Sequence, residues 1–168
     1  SRKEGFAEAL KILRRRGFVG VLFDQNAGLQ GALTTLFDRV CSTTELPGLM
    51  AEKFNARVIG IFPRRLAFWR VEICAQPIVH DGTGTAVTLA LNRWLETELR
   101  RDDNVCASWL WAHDRWRNQD MPSRRFRLEA KRNLLAEDVA ARGLAGLPRR
   151  TRLWIRLPNW LGDVVMAL

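Results

Sequence analysis

Histidine is scarce in this chain. His80 and His113 are the only two among 168 residues, so acid–base chemistry by imidazole can be audited completely. Neither begins a His-x4-Asp/Glu dyad, because the fifth residue after His80 is Thr85 and after His113 is Asn118. His80-Asp81 before Gly82 reads as a turn, and His113 among tryptophans as a packed, hydrogen-bonded residue rather than a base. Cysteine is also sparse. Cys41, Cys74 and Cys106 are odd in number and far apart, which excludes a disulfide framework and a zinc site and fits a reducing compartment. No metal-ligand cluster and no Gly-x-Ser-x-Gly elbow occurs. No apolar run reaches 18 residues, so no transmembrane helix is predicted. Ser1-Arg-Lys-Glu has no signal-peptide pattern, and no internal repeat or low-complexity tract is present.

Positive charge is abundant. The formal net charge is +9, with an apolar content of 47% that is ample for a core. Residues 1–110 carry 15 basic and 12 acidic side chains, net +3; residues 111–168 carry 12 and 6, net +6. The densest stretch runs from Arg115 to Arg132. Such a surface is either simply solvated or suited to an acidic partner: anionic lipid, an acidic carrier protein, or nucleic acid.

Phe6, Leu10 and Leu13 predict a helix over 4–16, finished by a basic turn and Gly17. Phe18–Phe23 reads as a buried strand, followed by a polar loop from Asp24 to Gly31. Ser42-Thr-Thr offers an N-cap for a helix over about 44–55, with Pro47 in its first turn and Asn55 as a left-handed stop. A second buried strand is expected at 57–62, a turn at Pro63–Leu66, and an alternating third strand at 68–73. The clearest helix covers 85–101, with Val87, Leu91, Trp94, Leu95 and Leu99 on one face and Glu96–Arg100 as an i,i+4 pair. A weaker helix at 128–141 ends at Gly143, and 143–150 reads as a linker.

Asp24 and Gln25 lie at a predicted strand end, where open α/β sheets place their chemistry; capping of the following loop is the alternative. Arg64 and Arg65 form a pair able to grip phosphate or carboxylate, although turn arginines are often only solvated. The tail from Arg152 to Leu168 reads as a strand, a Gly162-Asp163 turn and the opening of a helix. That is how a nucleotide-binding α/β domain starts. The chain is therefore expected to cross a junction between two domains.

Four segments in order carry a resemblance. Val21-Leu-Phe-Asp-Gln-Asn, Cys41-Ser-Thr-Thr-Glu-Leu-Pro-Gly-Leu-Met-Ala, Ala56-Arg-Val-Ile-Gly-Ile-Phe-Pro-Arg-Arg and Trp111-Ala-His-Asp-Arg-Trp-Arg together resemble the C-terminal half of the lipid A biosynthesis (late) acyltransferases. The resemblance implies an α/β fold, a mixed sheet flanked by helices as in glycerol-3-phosphate acyltransferases, over residues 1–117. It implies an acyl group moved from an acyl carrier protein or coenzyme A thioester to a hydroxyl of a phosphorylated, lipid A-like glycolipid. Asp24, Gln25, Arg64 and Arg65 would contact substrate. The proton acceptor would be a His-x4-Asp/Glu dyad preceding this stretch, so the 168 residues alone are expected to be inactive.

Asn159-Trp-Leu-Gly-Asp-Val-Val-Met resembles the start of glycosyltransferase family 9, the lipopolysaccharide heptosyltransferases. Asp163 would be its general base; capping of the helix is the alternative role. The expected organisation is an acyltransferase part at 1–117, a basic helical segment and linker at 118–150, and the first strand-turn-helix of a glycosyltransferase at 151–168. No metal or cofactor is implied, thioester and nucleotide-sugar being substrates. The implied place is the cytoplasmic face of the bacterial inner membrane, held peripherally by anionic lipid. The rival readings are a nucleic-acid-binding module, supported by basic residues and aromatics between Trp109 and Phe126, and a non-catalytic lipid-binding module.

Overall fold

The computed structural model describes residues 2–117 and 132–146. Helix α1, Arg2–Arg14, opens the chain two residues earlier than its periodicity indicated. It stops at Arg16, which takes a left-handed φ of 58°, and the Gly17 N–H donates back to the Ile12 carbonyl at 2.9 Å. The left-handed stop is thus an arginine beside the expected glycine.

Residues 18–23 form no strand. Phe18 is 94% exposed and Leu22 is also exposed, and the segment joins no backbone ladder. An apolar run becomes a buried strand only where neighbours cover both faces and pair its edges. Only Phe23 reaches the core, against Trp94 at a ring separation of 6.0 Å.

The next element was hidden in the sequence. Strands β1, Ala32–Leu36, and β2, Arg39–Thr43, form an antiparallel hairpin with Leu36 opposite Arg39. Its two-residue turn holds Phe37 and Asp38 at φ 51° and 59°, the mirror-image geometry that matches strand twist. Ser42 and Thr43 therefore belong to a strand and do not cap a helix. All five residues of β1 are buried. Its other edge carries one parallel bridge, Leu33 to Asn133, closed by Leu33 N–H to Arg132 O at 2.9 Å and Leu134 N–H to Leu33 O at 3.0 Å.

Helix α2, Leu46–Phe54, has Pro47 in its first turn and ends at Asn55 with φ 47° and ψ 44°, as its sequence indicated. Strand β3, Ile59–Ala67, continues straight through Pro63, and the chain turns instead at Phe68-Trp69 into β4, Arg70–Pro77. Pro63 is tolerated because β3 pairs on one side only. The expected α/β character holds. The expected single mixed sheet does not: among the described residues there are two separate antiparallel hairpins and the one parallel bridge.

Helix α3, Gly84–Arg101, organises the rest. The Thr83 hydroxyl accepts from Ala86 N–H at its start. Its Leu95 and Leu99 close a core with Leu36, Cys41, Phe62 and Val105, while Val87 and Leu91 pack with Ala51 and Ile78. Each such side chain, fully buried, contributes roughly 1.5–3 kcal/mol. The expected Glu96–Arg100 pair is not made. Glu96 instead meets Arg93 at 3.2 Å and accepts from Phe37 N–H, and Arg100 lies over the Phe37 ring.

Helix α4, Asp103–Ser108, follows, then a 3₁₀ turn at Trp111–His113. Helix α5, Leu135–Ala141, is shorter than the expected 128–141. It stops before Gly143 at φ 64°. Residues 132–146 are clasped onto the hairpin: Asp138, 1% exposed, accepts from Thr35 N–H and Thr35 Oγ1, both at 2.6 Å, and Arg142 pairs with Asp38.

Candidate functional site

The helix α3 face toward β1–β2 is polar where an apolar one would serve the core. Thr88, Asn92 and Glu96, at i,i+4 spacing, are all buried there. Asn92 Nδ2 donates to Thr34 Oγ1 at 2.8 Å, Thr43 Oγ1 at 3.0 Å and Thr35 O at 3.2 Å. Thr34 and Thr43 share a further bond of 2.6 Å. Buried polar groups persist only when satisfied in this way.

Into this network reaches Arg115, 1% exposed. One guanidinium arm donates to Gln25 O at 2.6 Å and to Ser42 O; the other to Thr43 Oγ1 at 2.8 Å and Asn92 Oδ1 at 3.3 Å. Only a planar fork can serve four acceptors in two directions. Arg115 was expected to begin a solvated basic surface. It is instead the buried link between three sequence segments.

Asp24 and Gln25 take their places around that link. Asp24 Oδ2 accepts from Trp109 Nε1 at 3.0 Å, and Gln25 offers its backbone carbonyl rather than its amide. Asn26 Nδ2 donates to the carbonyls of Arg115 and Arg117, and its Oδ1 accepts from Gly28 N–H at 2.7 Å. Trp109, Trp111 and Trp116 pack on one another, with Trp109 and Trp111 edge to face at 4.6 Å. Trp116 Nε1 donates to Leu36 O at 3.0 Å.

Arg64 and Arg65 stand apart, since their described bonds reach none of these groups. Arg64 donates from Nε to Glu72 Oε2 at 2.8 Å and faces Asp102 at 3.9 Å. The hydrogen bond and charge of Glu72 hold the guanidinium above its usual range. Arg65 is exposed and donates to Phe68 O at 3.1 Å. Asp163 lies outside the described residues.

No base emerges from the histidines. His80 Nδ1 accepts from Gly82 N–H at 3.0 Å, which is the expected turn. His113 contributes its backbone N–H to the 3₁₀ turn. Among the described residues no group of His, Cys, Asp and Glu is arranged to hold a metal. Partial burial, then Glu72, holds the Cys74 thiol above its ordinary range, which disfavours the thiolate.

Two clefts open elsewhere on the described residues. One, of about 550 Å³, is apolar and opens among Leu13, Val21, Phe23, Met50, Ile59 and Leu91. The other, of about 660 Å³, lies between α3 and α5 and is edged by His80, Asp81, Arg93, Glu137 and Asp138. Sequence reasoning missed Asn92, Thr43 and Arg115 as a set. The available signal was an asparagine two turns before the end of an apolar helix face, where burial demands a partner.

Residues 1–118 match the family model described as bacterial lipid A biosynthesis acyltransferase. No curated protein matches the chain.

Proposed function

We propose that this chain, which belongs to the bacterial lipid A biosynthesis acyltransferase family, builds the substrate-holding half of an enzyme that moves a fatty acyl group from a thioester to a hydroxyl of a lipid A-like glycolipid. The family match supports acyltransfer and a lipid acceptor in general terms. The observation that carries the finer reading is the convergence of Gln25, Ser42 and Thr43 on the buried Arg115 guanidinium, with Asp24 held beside it by Trp109. Gln25, Ser42-Thr43 and Arg115 belong to three of the four segments that bear the resemblance, and they are far apart in sequence.

In this reading the apolar cleft of about 550 Å³ takes the acyl chain, delivered by an acyl carrier protein or coenzyme A. Arg65, exposed and free of an acidic partner among its described bonds, contacts the anionic acceptor or donor; Arg64, held by Glu72, keeps the strand end in place beside it. The carboxylate of Asp24, oriented by Trp109, and the exposed side chain of Gln25 contact the substrate. The proton from the acceptor hydroxyl goes to a His-x4-Asp/Glu dyad outside these 168 residues, and the alkoxide attacks the thioester carbonyl, releasing thiol. No metal or cofactor takes part. The enzyme works peripherally at the cytoplasmic face of the bacterial inner membrane, and its tail begins a glycosyltransferase with Asp163 as general base.

Steady-state kinetics on the full-length protein, with acyl carrier protein thioester and a phosphorylated glycolipid, test the reading. Arg65→Ala is expected to lower kcat/KM by the equivalent of about 1.5–3 kcal/mol, typical of a charged hydrogen bond. Wild-type kinetics in that variant would reduce Arg65 to a solvated strand residue.

A further inference from the structure

The distal end of the β3–β4 hairpin is open to solvent among the described residues. From Arg65 through Val71 every residue is exposed, Leu66 and Val71 by about half and the two rings by far more. The side chains there are not those of an idle loop. Leu66 is 48%, Phe68 74% and Trp69 90% exposed. Phe68 and Trp69 meet edge to face at 4.8 Å, so the two rings form one apolar wedge.

The backbone presents this wedge deliberately. Arg65 pairs with Val71 and Ala67 with Arg70, leaving Leu66 as the extra residue of a bulge. A bulge bends the strand and re-aims its side chains. Neither Phe68 nor Trp69 has a positive φ, so the bulge takes up the twist that an ordinary two-residue turn would supply. The Arg65 guanidinium donates to Phe68 O at 3.1 Å across the turn and steadies it.

Charge surrounds the wedge with one sign. Arg64 is neutralised by Glu72. That leaves Arg65 and Arg70 beside the rings, with no acidic residue between positions 64 and 71. An aromatic tip flanked by arginines with apolar stems is the arrangement that enters a bilayer interface, rings among the acyl chains and guanidinium groups at the phosphates. A contiguous exposed apolar group rimmed by charge marks an interaction surface. Among the described residues no helix is long and apolar enough to cross a membrane, so contact by a short wedge would be peripheral.

We propose that Leu66, Phe68 and Trp69 insert into an anionic bilayer, with Arg65 and Arg70 on the headgroups. This rests on the reading above only in supposing that the enzyme meets its acceptor at a membrane. Full chain and variants would be sedimented with vesicles of phosphatidylglycerol and phosphatidylethanolamine, and separately with phosphatidylcholine. Phe68→Ser with Trp69→Ser is expected to lower partition onto anionic vesicles at least tenfold, with an unchanged melting temperature because both side chains are exposed. Arg70→Gln should weaken anionic binding about fivefold at low salt, since one basic residue near the surface is worth about 1 kcal/mol. It should leave binding to phosphatidylcholine unchanged.

Hydrogen exchange of the unmodified chain guards against misfolded variants. Residues 65–71 should gain protection when anionic vesicles are added. Absence of that protection, or wild-type partition of the double serine variant, overturns the proposal. Acyl transfer to detergent-dispersed acceptor by full-length protein should survive the double serine substitution. If unmodified protein binds vesicles through this tip yet transfers no acyl group, the acyltransferase reading fails and the membrane contact stands.

Discussion

Arg115 holds a full positive charge at 1% exposure, and among the described residues no carboxylate pairs with it. Four neutral oxygens carry the charge instead. Removing the fork would leave Gln25 O without its described donor, take one donor each from Ser42 O and Thr43 Oγ1, and open a cavity between the segments. Arg115→Ala is therefore expected to lower the unfolding free energy by about 3 kcal/mol, measured by urea denaturation. Arg115→Lys should recover little of it, because one ammonium cannot reach in both directions. A loss below about 1 kcal/mol would mean that water replaces the fork and that the segments hold together without it. A second residue sets a pH dependence. Asp81 Oδ1 accepts from Thr83 N–H at 2.9 Å and Thr83 Oγ1 at 2.8 Å. These bonds, the backbone one first, hold its carboxyl below the usual range. A folded pKa below the unfolded one contributes stability that is present above the unfolded value, about 3.9, and fades as pH falls through the folded value. Asp81→Asn keeps an acceptor there but removes the titration. The melting temperature of this variant should fall less steeply between about pH 5 and pH 2 than that of the parent; parallel curves would assign the acid limb to other groups.

Among the elements, α2 and α3 cross where two glycines face each other. A Cβ on Gly48 would collide with the Gly84 carbonyl oxygen, a backbone atom that cannot step aside. Gly48→Ala is expected to destabilise the fold by about 1–3 kcal/mol, the usual effect of overpacking, seen in thermal unfolding; an unchanged melting temperature would show that the helices can separate freely. Helix α3 was legible because its apolar residues recur at helical spacing from Val87 to Leu99. The β1–β2 hairpin was not. Ala32-Leu-Thr-Thr-Leu36 fails to alternate because both of its faces are buried, and its threonines satisfy their hydroxyls internally against Asn92 and Asp138. Its turn, Phe37-Asp38, carries neither glycine nor asparagine and puts a phenylalanine at positive φ. Phe18–Phe23 misled in the opposite direction: its apolar run is mostly exposed, since burial is a property of neighbours and not of the run. Asp24 and Gln25 were singled out at the end of an expected strand that does not form, and their partners Trp109 and Arg115 lie 85 and 90 residues away. No local pattern encodes such pairings.

For the whole molecule, the clasp at 132–146 shows that the fold does not stop where the family match does. Asp138 and Arg142 fasten α5 to β1 and its turn, so residues 132–146 are built into the same body. Two activities are proposed on one chain, and they should fail separately. Asp163→Asn in full-length protein should reduce sugar transfer by about 10²–10⁴-fold, as for loss of a general base, while acyl transfer and melting temperature stay at parental values. Loss of both activities with a lowered melting temperature would make Asp163 a helix cap. The most direct measurement is mass spectrometry of a phosphorylated glycolipid acceptor after incubation with an acyl carrier protein thioester. Full-length protein should add the mass of one fatty acid less water, and residues 1–168 alone should add nothing, because the proposed proton acceptor lies outside them. Acylation by the 168 residues alone, or an unmodified acceptor after incubation with the full-length protein, would contradict this reading.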